Sequence, residues 1–158
     1  MNQADAAAAM RVFTASYLHI HYESALHSIE LEWRDHTRGE ELRVGIRRGI
    51  QLAQEHQVRA WIANMTHMHV ICPEDQEWVK AEWLPRLRPL GIEFLALVIS
   101  ADALNRLGMH NIMDSGGNNG RATPETVYFS SVQDARDWVR QACQAGSPAR
   151  VGRRYQRR

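Results

Sequence analysis

The alternation of polar and apolar residues changes period along this chain, and each change marks an element. Residues 17–23, YLHIHYE, alternate: Leu18, Ile20 and Tyr22 face one side, Tyr17, His19, His21 and Glu23 the other. Residues 26–33, LHSIELEW, set Ile29, Leu31 and Trp33 against Ser28, Glu30 and Glu32. Period two is the pattern of half-buried strands. The two runs predict an antiparallel hairpin with one wet face, turning at Ser24-Ala25. That turn would set His21 across from Ser28 and His19 across from Glu30. The period then lengthens. Thr37-x-x-Glu40 has the form of a capping box, and Leu42, Ile46, Gly49, Ile50 and Ala53 share a helical face behind it. Gly45 and Gly49 each cost a helix up to about 1 kcal/mol against alanine, tolerable where they let it lie close on a sheet. Arg43, Arg47 and Arg48 occupy the outer face.

Residues 60–65, AWIANM, are almost continuously apolar, as suits a strand covered on both faces. The following THMHVIC shows no clear period. Pro73, with Glu74 and Asp75 behind it, opens a helix: proline loses an amide that would be orphaned there, and acidic residues oppose the helix dipole. Val79, Trp83, Leu87 and Leu90 form its stripe, with Leu84 at the margin, and Gly91 stops it. Pro85 kinks or breaks it. Trp78 falls off the stripe among Glu74 and Glu82, which predicts an exposed aromatic. Residues 92–100 read as a second buried strand, 101–107 as a short helix capped by Ser100, 114–123 as a flexible loop and 126–129 as a short strand. Ser130 or Ser131 caps a last helix that buries Ala135, Trp138, Val139 and Ala142 and ends at Gly146 and Pro148. The order β-β-α-β-α-β-α-β-α predicts an α/β fold: a hairpin feeding βα units, with a mostly parallel five-stranded sheet and about four helices.

Composition narrows this to one domain. At 158 residues the chain can bury a real core, and its apolar runs are too short to cross a membrane. The opening MNQADAAAAM has neither the basic start nor the apolar stretch of a signal peptide. The expectation is a cytoplasmic protein with a flexible arm at 1–15, a domain at 16–146 and a disordered tail at 147–158. Cys72 and Cys143 lack framework spacing and are expected to be reduced. Arg150, Arg153, Arg154, Arg157 and Arg158 crowd the last nine residues, and every acidic residue precedes them. Such a tail is the one feature suited to nucleic acid or an anionic membrane; its plain role is a solubilising end.

The strand AWIANM, the segment EDQEWVKAEWLPRLRPLGI and the ending VYFSSVQDARDWV together resemble the STAS (SpoIIAA-like) domain family, in particular small bacterial STAS-like proteins. The likeness spans roughly residues 16–143 and rests mostly on packing residues. It implies a sheet whose strands follow in chain order, with helices mainly on one face. It also implies a non-enzymatic module for regulation, protein contact or ligand sensing, with a protein partner or a homodimer foremost. Related CRAL-TRIO domains hold lipids between helices and sheet, so a small apolar ligand between the 73–90 helix and the sheet is the alternative. STAS regulators carry a phosphorylated Ser or Thr in an Asp-Ser-Ser-Gly-like context. Here the corresponding stretch is NMTHMH, which lacks that context and leaves Thr66 as the nearest residue.

No catalytic residue, cofactor or metal site is expected from the motifs. His19 with His21 and His67 with His69 form two H-x-H pairs, a spacing able to chelate a metal on a strand. Set against Ser28 and Glu30, the first pair reads as ordinary surface histidines. Cys72 precedes a helix start, which favours a thiolate, with His67 or His69 as base. Glu74 and Asp75 oppose that charge, so Cys72 reads as a small residue at a helix start. The SGGNNGR segment lacks either nucleotide-loop spacing. The expected binding surface is Trp78, Trp83, His67, Met68 and His69, at the carboxyl end of the 60–65 strand, where open α/β sheets take their ligands.

Overall fold

The structure, a computed structural model, describes residues 9–35, 37–68, 70–99, 108–109, 111–113 and 124–145. The expected 101–107 helix, 114–123 loop, His69, Gly146, Pro148 and arginine tail lie outside them. Along the described residues run β1 (Ala9–Ala15), β2 (Leu18–Glu23), β3 (Ser28–Asp35), α1 (Glu40–His56), β4 (Ala60–Met68), α2 (Pro73–Glu82), β5 (Phe94–Val98), β6 (Glu125–Phe129) and α3 (Val132–Ala145). One sheet takes the strands in chain order. β1, β2 and β3 pair antiparallel; β3 through β6 pair parallel.

Among the described residues the sheet has six strands where five were expected. Ala9–Ala15, read from sequence as the end of a flexible arm, pairs with β2, and Val12 and Phe13 pack against the core. A bulge between Arg11 and Phe13 breaks the strand's period, which hides it from an alternation test.

The β2–β3 connection also corrects the sequence. Ser24–Leu26 form a 3-10 turn with Leu26 buried, and His27 follows at φ 50°. This longer turn slides the register by two residues: His21 faces Glu30, His19 faces Glu32 and Glu23 faces Ser28. A slide of two keeps every side chain on its predicted face and changes its partner.

β4 runs on to Met68 through the stretch that showed no period. Between Glu32 and Arg34 of β3 its register advances from Asn64 to His67, one residue more than β3 spends. That bulge lets Met65 and Met68 both join the larger core cluster despite their odd spacing. Asn64 braces it, its Oδ1 accepting from the Thr66 amide at 3.2 Å and hydroxyl at 2.6 Å.

α2 begins at Pro73 as expected and ends at Glu82; the Pro85 region continues as a separate 3-10 turn, Leu84–Arg86. α1 buries the predicted face, but without the capping box. The Thr37 hydroxyl donates to the Arg34 and Tyr17 carbonyls instead, at 2.8 and 3.3 Å. The turn before α1 is tied to α2 by Asp75, which accepts from the Gly39 amide at 2.8 Å.

α1 and α2 lie on one face, over Leu31, Trp61, Ala63 and Leu95. Successive right-handed crossovers advancing in one direction must share a face. α3 follows the last strand, is free of that rule, and packs on the other face over Ala60, Ile62, Phe94, Ala96 and Val98. Ser131 caps it, accepting from the Asp134 amide at 3.3 Å. No helix among the described residues is long and apolar enough to cross a membrane.

Candidate functional site

Between α1, α2 and the sheet lies a partly open cavity of about 40 Å³. The sheet contributes Trp33, Trp61, Ala63, Met65 and Met68; α1 contributes Leu42 and Ile46. Ile71, Val79, Trp83, Met109 and Ile112 complete it. Trp83 is 4% exposed and stands edge-on to Trp61, ring centroids 5.8 Å apart. Its indole Nε1 is buried without a hydrogen-bond partner among the described residues. A buried donor left unpaired costs about 1–3 kcal/mol, so an acceptor brought to it recovers part of that cost. By the same measure of volume one water needs about 10–15 Å³, and an engineered cavity of about 150 Å³ takes benzene. The present space therefore fits a small group. Three of its walls are methionines, whose flexible side chains can shift to admit more.

Of the residues expected to form the binding surface, Met68 and Trp83 meet at this cavity. Trp78 does not sit exposed as predicted. It is half-buried against the core, with the Arg43 and Arg47 guanidiniums 5.6 and 5.5 Å from its ring centre. Cation–π contact of this kind gives a tryptophan off the helix stripe a covered site. His67 is exposed, and Thr66 is exposed with its hydroxyl engaged by Asn64. Cys72 donates its thiol to the Asp75 carboxylate, at 3.3 Å from Oδ2. Both cysteines are free, and burial pushes the Cys143 thiol up against the lowering effect of Arg59. Sequence reasoning missed Trp33, Trp61, Met65 and Met109 as cavity walls. The signal available was only a wealth of Trp and Met; the crossovers bring those residues together.

The opposite face of the hairpin is polar. His19 Nδ1 lies 3.8 Å and His21 Nε2 3.2 Å from Glu32 Oε1, while Arg34 donates to Oε2 at 3.0 Å. Burial, with the nearby Arg11 and Arg34 charges, holds His19 below the usual imidazole range. Burial alone would raise Glu32, but the His21 hydrogen bond and the Arg34 charge outweigh it and lower it. Next to this cluster Arg136 of α3 reaches down to Glu30, at 2.9 and 3.0 Å.

No protein-family model, curated protein or solved structure matches this chain.

Proposed function

We propose that this chain is a non-enzymatic module of STAS-like type that binds a small, mostly apolar molecule between α2 and the sheet. The observation that carries the reading is the apolar cavity walled in part by Trp83, a residue whose buried indole N–H has no hydrogen-bond partner among the described residues. A few placed polar groups in an apolar hollow are the usual make-up of a small-molecule site. The ligand is accordingly a short apolar body bearing one hydrogen-bond acceptor. Strands in chain order and crossover helices on one face agree with what the STAS resemblance implies. A role through protein contact was expected to centre on an exposed Trp78, and Trp78 is half-buried against the core.

The test is thermal unfolding of the full chain with a series of methyl ketones from butanone to octanone. Binding to the native state at about ten times Kd adds about 1.4 kcal/mol, which for a domain of this size raises Tm by about 3–5 °C. One chain length should give the largest rise, and Trp83→Phe should abolish it while leaving the fold intact. A flat response across the series, or an equal rise in Trp83→Phe, ends the proposal.

A further inference from the structure

The strongest unassigned chemistry lies on the polar face of β2 and β3. Alternate residues of a strand share a face, so His19 and His21 project together from β2. The two-residue slide in register places Glu32 directly opposite His19. One ligand atom from each of the three residues falls within 4.8 Å of the others, and all three side chains are half-buried. We propose that His19, His21 and Glu32 bind one divalent transition-metal ion of the zinc type.

The geometry is near what such an ion requires. Bonds of about 2.0–2.1 Å in a tetrahedral site set ligand atoms about 3.3 Å apart. Glu32 Oε1 already stands 3.2 Å from His21 Nε2 and 3.8 Å from His19 Nδ1. Binding therefore requires the side chains to draw in from separations of up to 4.8 Å. The carboxylate is divided between partners: Oε2 takes the Arg34 hydrogen bond at 3.0 Å, leaving Oε1 for the ion. A hydrogen bond to a ligating carboxylate from a neighbouring residue is the usual support for a metal ligand. Two imidazoles and a carboxylate suit zinc, and three protein ligands leave a fourth position for water or an anion. α3 packs over β4, β5 and β6 and against the Ser24–Leu26 turn, while the His19, His21 and Glu32 side chains keep 18%, 28% and 24% of their surface exposed. The Arg34 and Arg11 guanidiniums oppose an added positive charge. The site is therefore weaker than a closed thiolate site and favours an anion as its fourth ligand.

The test is isothermal titration of the metal-free 158-residue chain with zinc chloride, paired with the visible spectrum of the cobalt(II) form. The expected result is one ion per chain and intense four-coordinate cobalt bands. His19→Gln, His21→Gln and Glu32→Gln should each weaken zinc by at least about tenfold, with unchanged far-ultraviolet circular dichroism. His67→Gln should bind as wild type does. Absence of stoichiometric binding overturns the proposal. Equal affinity in the three variants overturns it too, since the ion then sits on other histidines. Should a variant not fold, the wild-type cobalt spectrum still decides: a weak six-coordinate spectrum counts against the site.

Discussion

Gly49 shows how one missing methyl positions a helix. A Cβ there would stand 2.8 Å from the Trp61 ring and 2.9 Å from the Leu31 side chain. At Gly45 it would stand 2.7 Å from Leu18 and 2.8 Å from Trp33. Both glycines are buried on the face of α1 that lies against the sheet, so each admits a tryptophan in place of its own side chain. Alanine would add up to about 1 kcal/mol of helix propensity, but overpacking a close-fitted core costs about 1–3 kcal/mol. Trp61 is 1% exposed, so a displaced ring would have to repack within the core, and the clash should win. Gly49→Ala should lower stability by about 1–2 kcal/mol, read as a lower urea midpoint with an unchanged slope. A variant more stable than wild type would show that the Trp61 ring yields, and the close approach would lose its significance.

At the scale of elements, one ion pair helps join α3 to the hairpin. Glu30 is 7% exposed and receives two bonds from Arg136 and a third, at 3.4 Å, from Asn64 Nδ2. Removing one partner of a buried pair strands the other charge, at about 3–5 kcal/mol. The Arg136 side chain is 41% exposed, so water relieves part of that. Arg136→Ala should therefore cost about 2 kcal/mol, and Glu30→Gln with Arg136→Ala together less than the sum of the singles. Additive losses in a double-mutant cycle would show that the pair contributes no coupling. The same elements show what was legible in the sequence. Strong periods located β2, β3, α1 and α3, because burial of one face is written directly into residue type, and a continuous apolar run located β5, which is buried on both faces. Partner identity was not legible: a turn of four residues instead of two leaves Leu18, Ile20 and Ile29 on their predicted face yet moves Glu32 beside both histidines. Bulges erased the period in β1 and after Asn64, so one strand was missed and the other cut short. The candidate site suffered most. Met68 and Trp83 could be named from position, whereas Trp33, Trp61 and Met65 reach the cavity only through pairing across β3 and β4. Trp78 was misjudged because its shelter is two arginines from another helix.

Over the whole molecule, the sheet separates two kinds of chemistry, and β3 serves both. Trp33 points to the apolar cavity under α1 and α2, while its neighbour Glu32 joins the histidines on the open polar side. The apolar side is where function and stability can be set against each other by one residue. Ala63 belongs to central strand β4, is 5% exposed and faces the cavity. Ala63→Val adds two carbons there, and a β-branched residue suits a strand. If the added groups fit the hollow, they gain about 0.8 kcal/mol for each methylene equivalent buried. If they strike its far wall, the same change overpacks the core and costs about 1–3 kcal/mol. The two cases differ in sign, so a urea denaturation curve separates them without any ligand. The expected outcome is a variant about 1 kcal/mol more stable than wild type, whose melting temperature no longer rises with a methyl ketone. Gain of stability with loss of binding would follow from a space kept open for an occupant. A variant both less stable and still responsive to ketone would place the binding elsewhere.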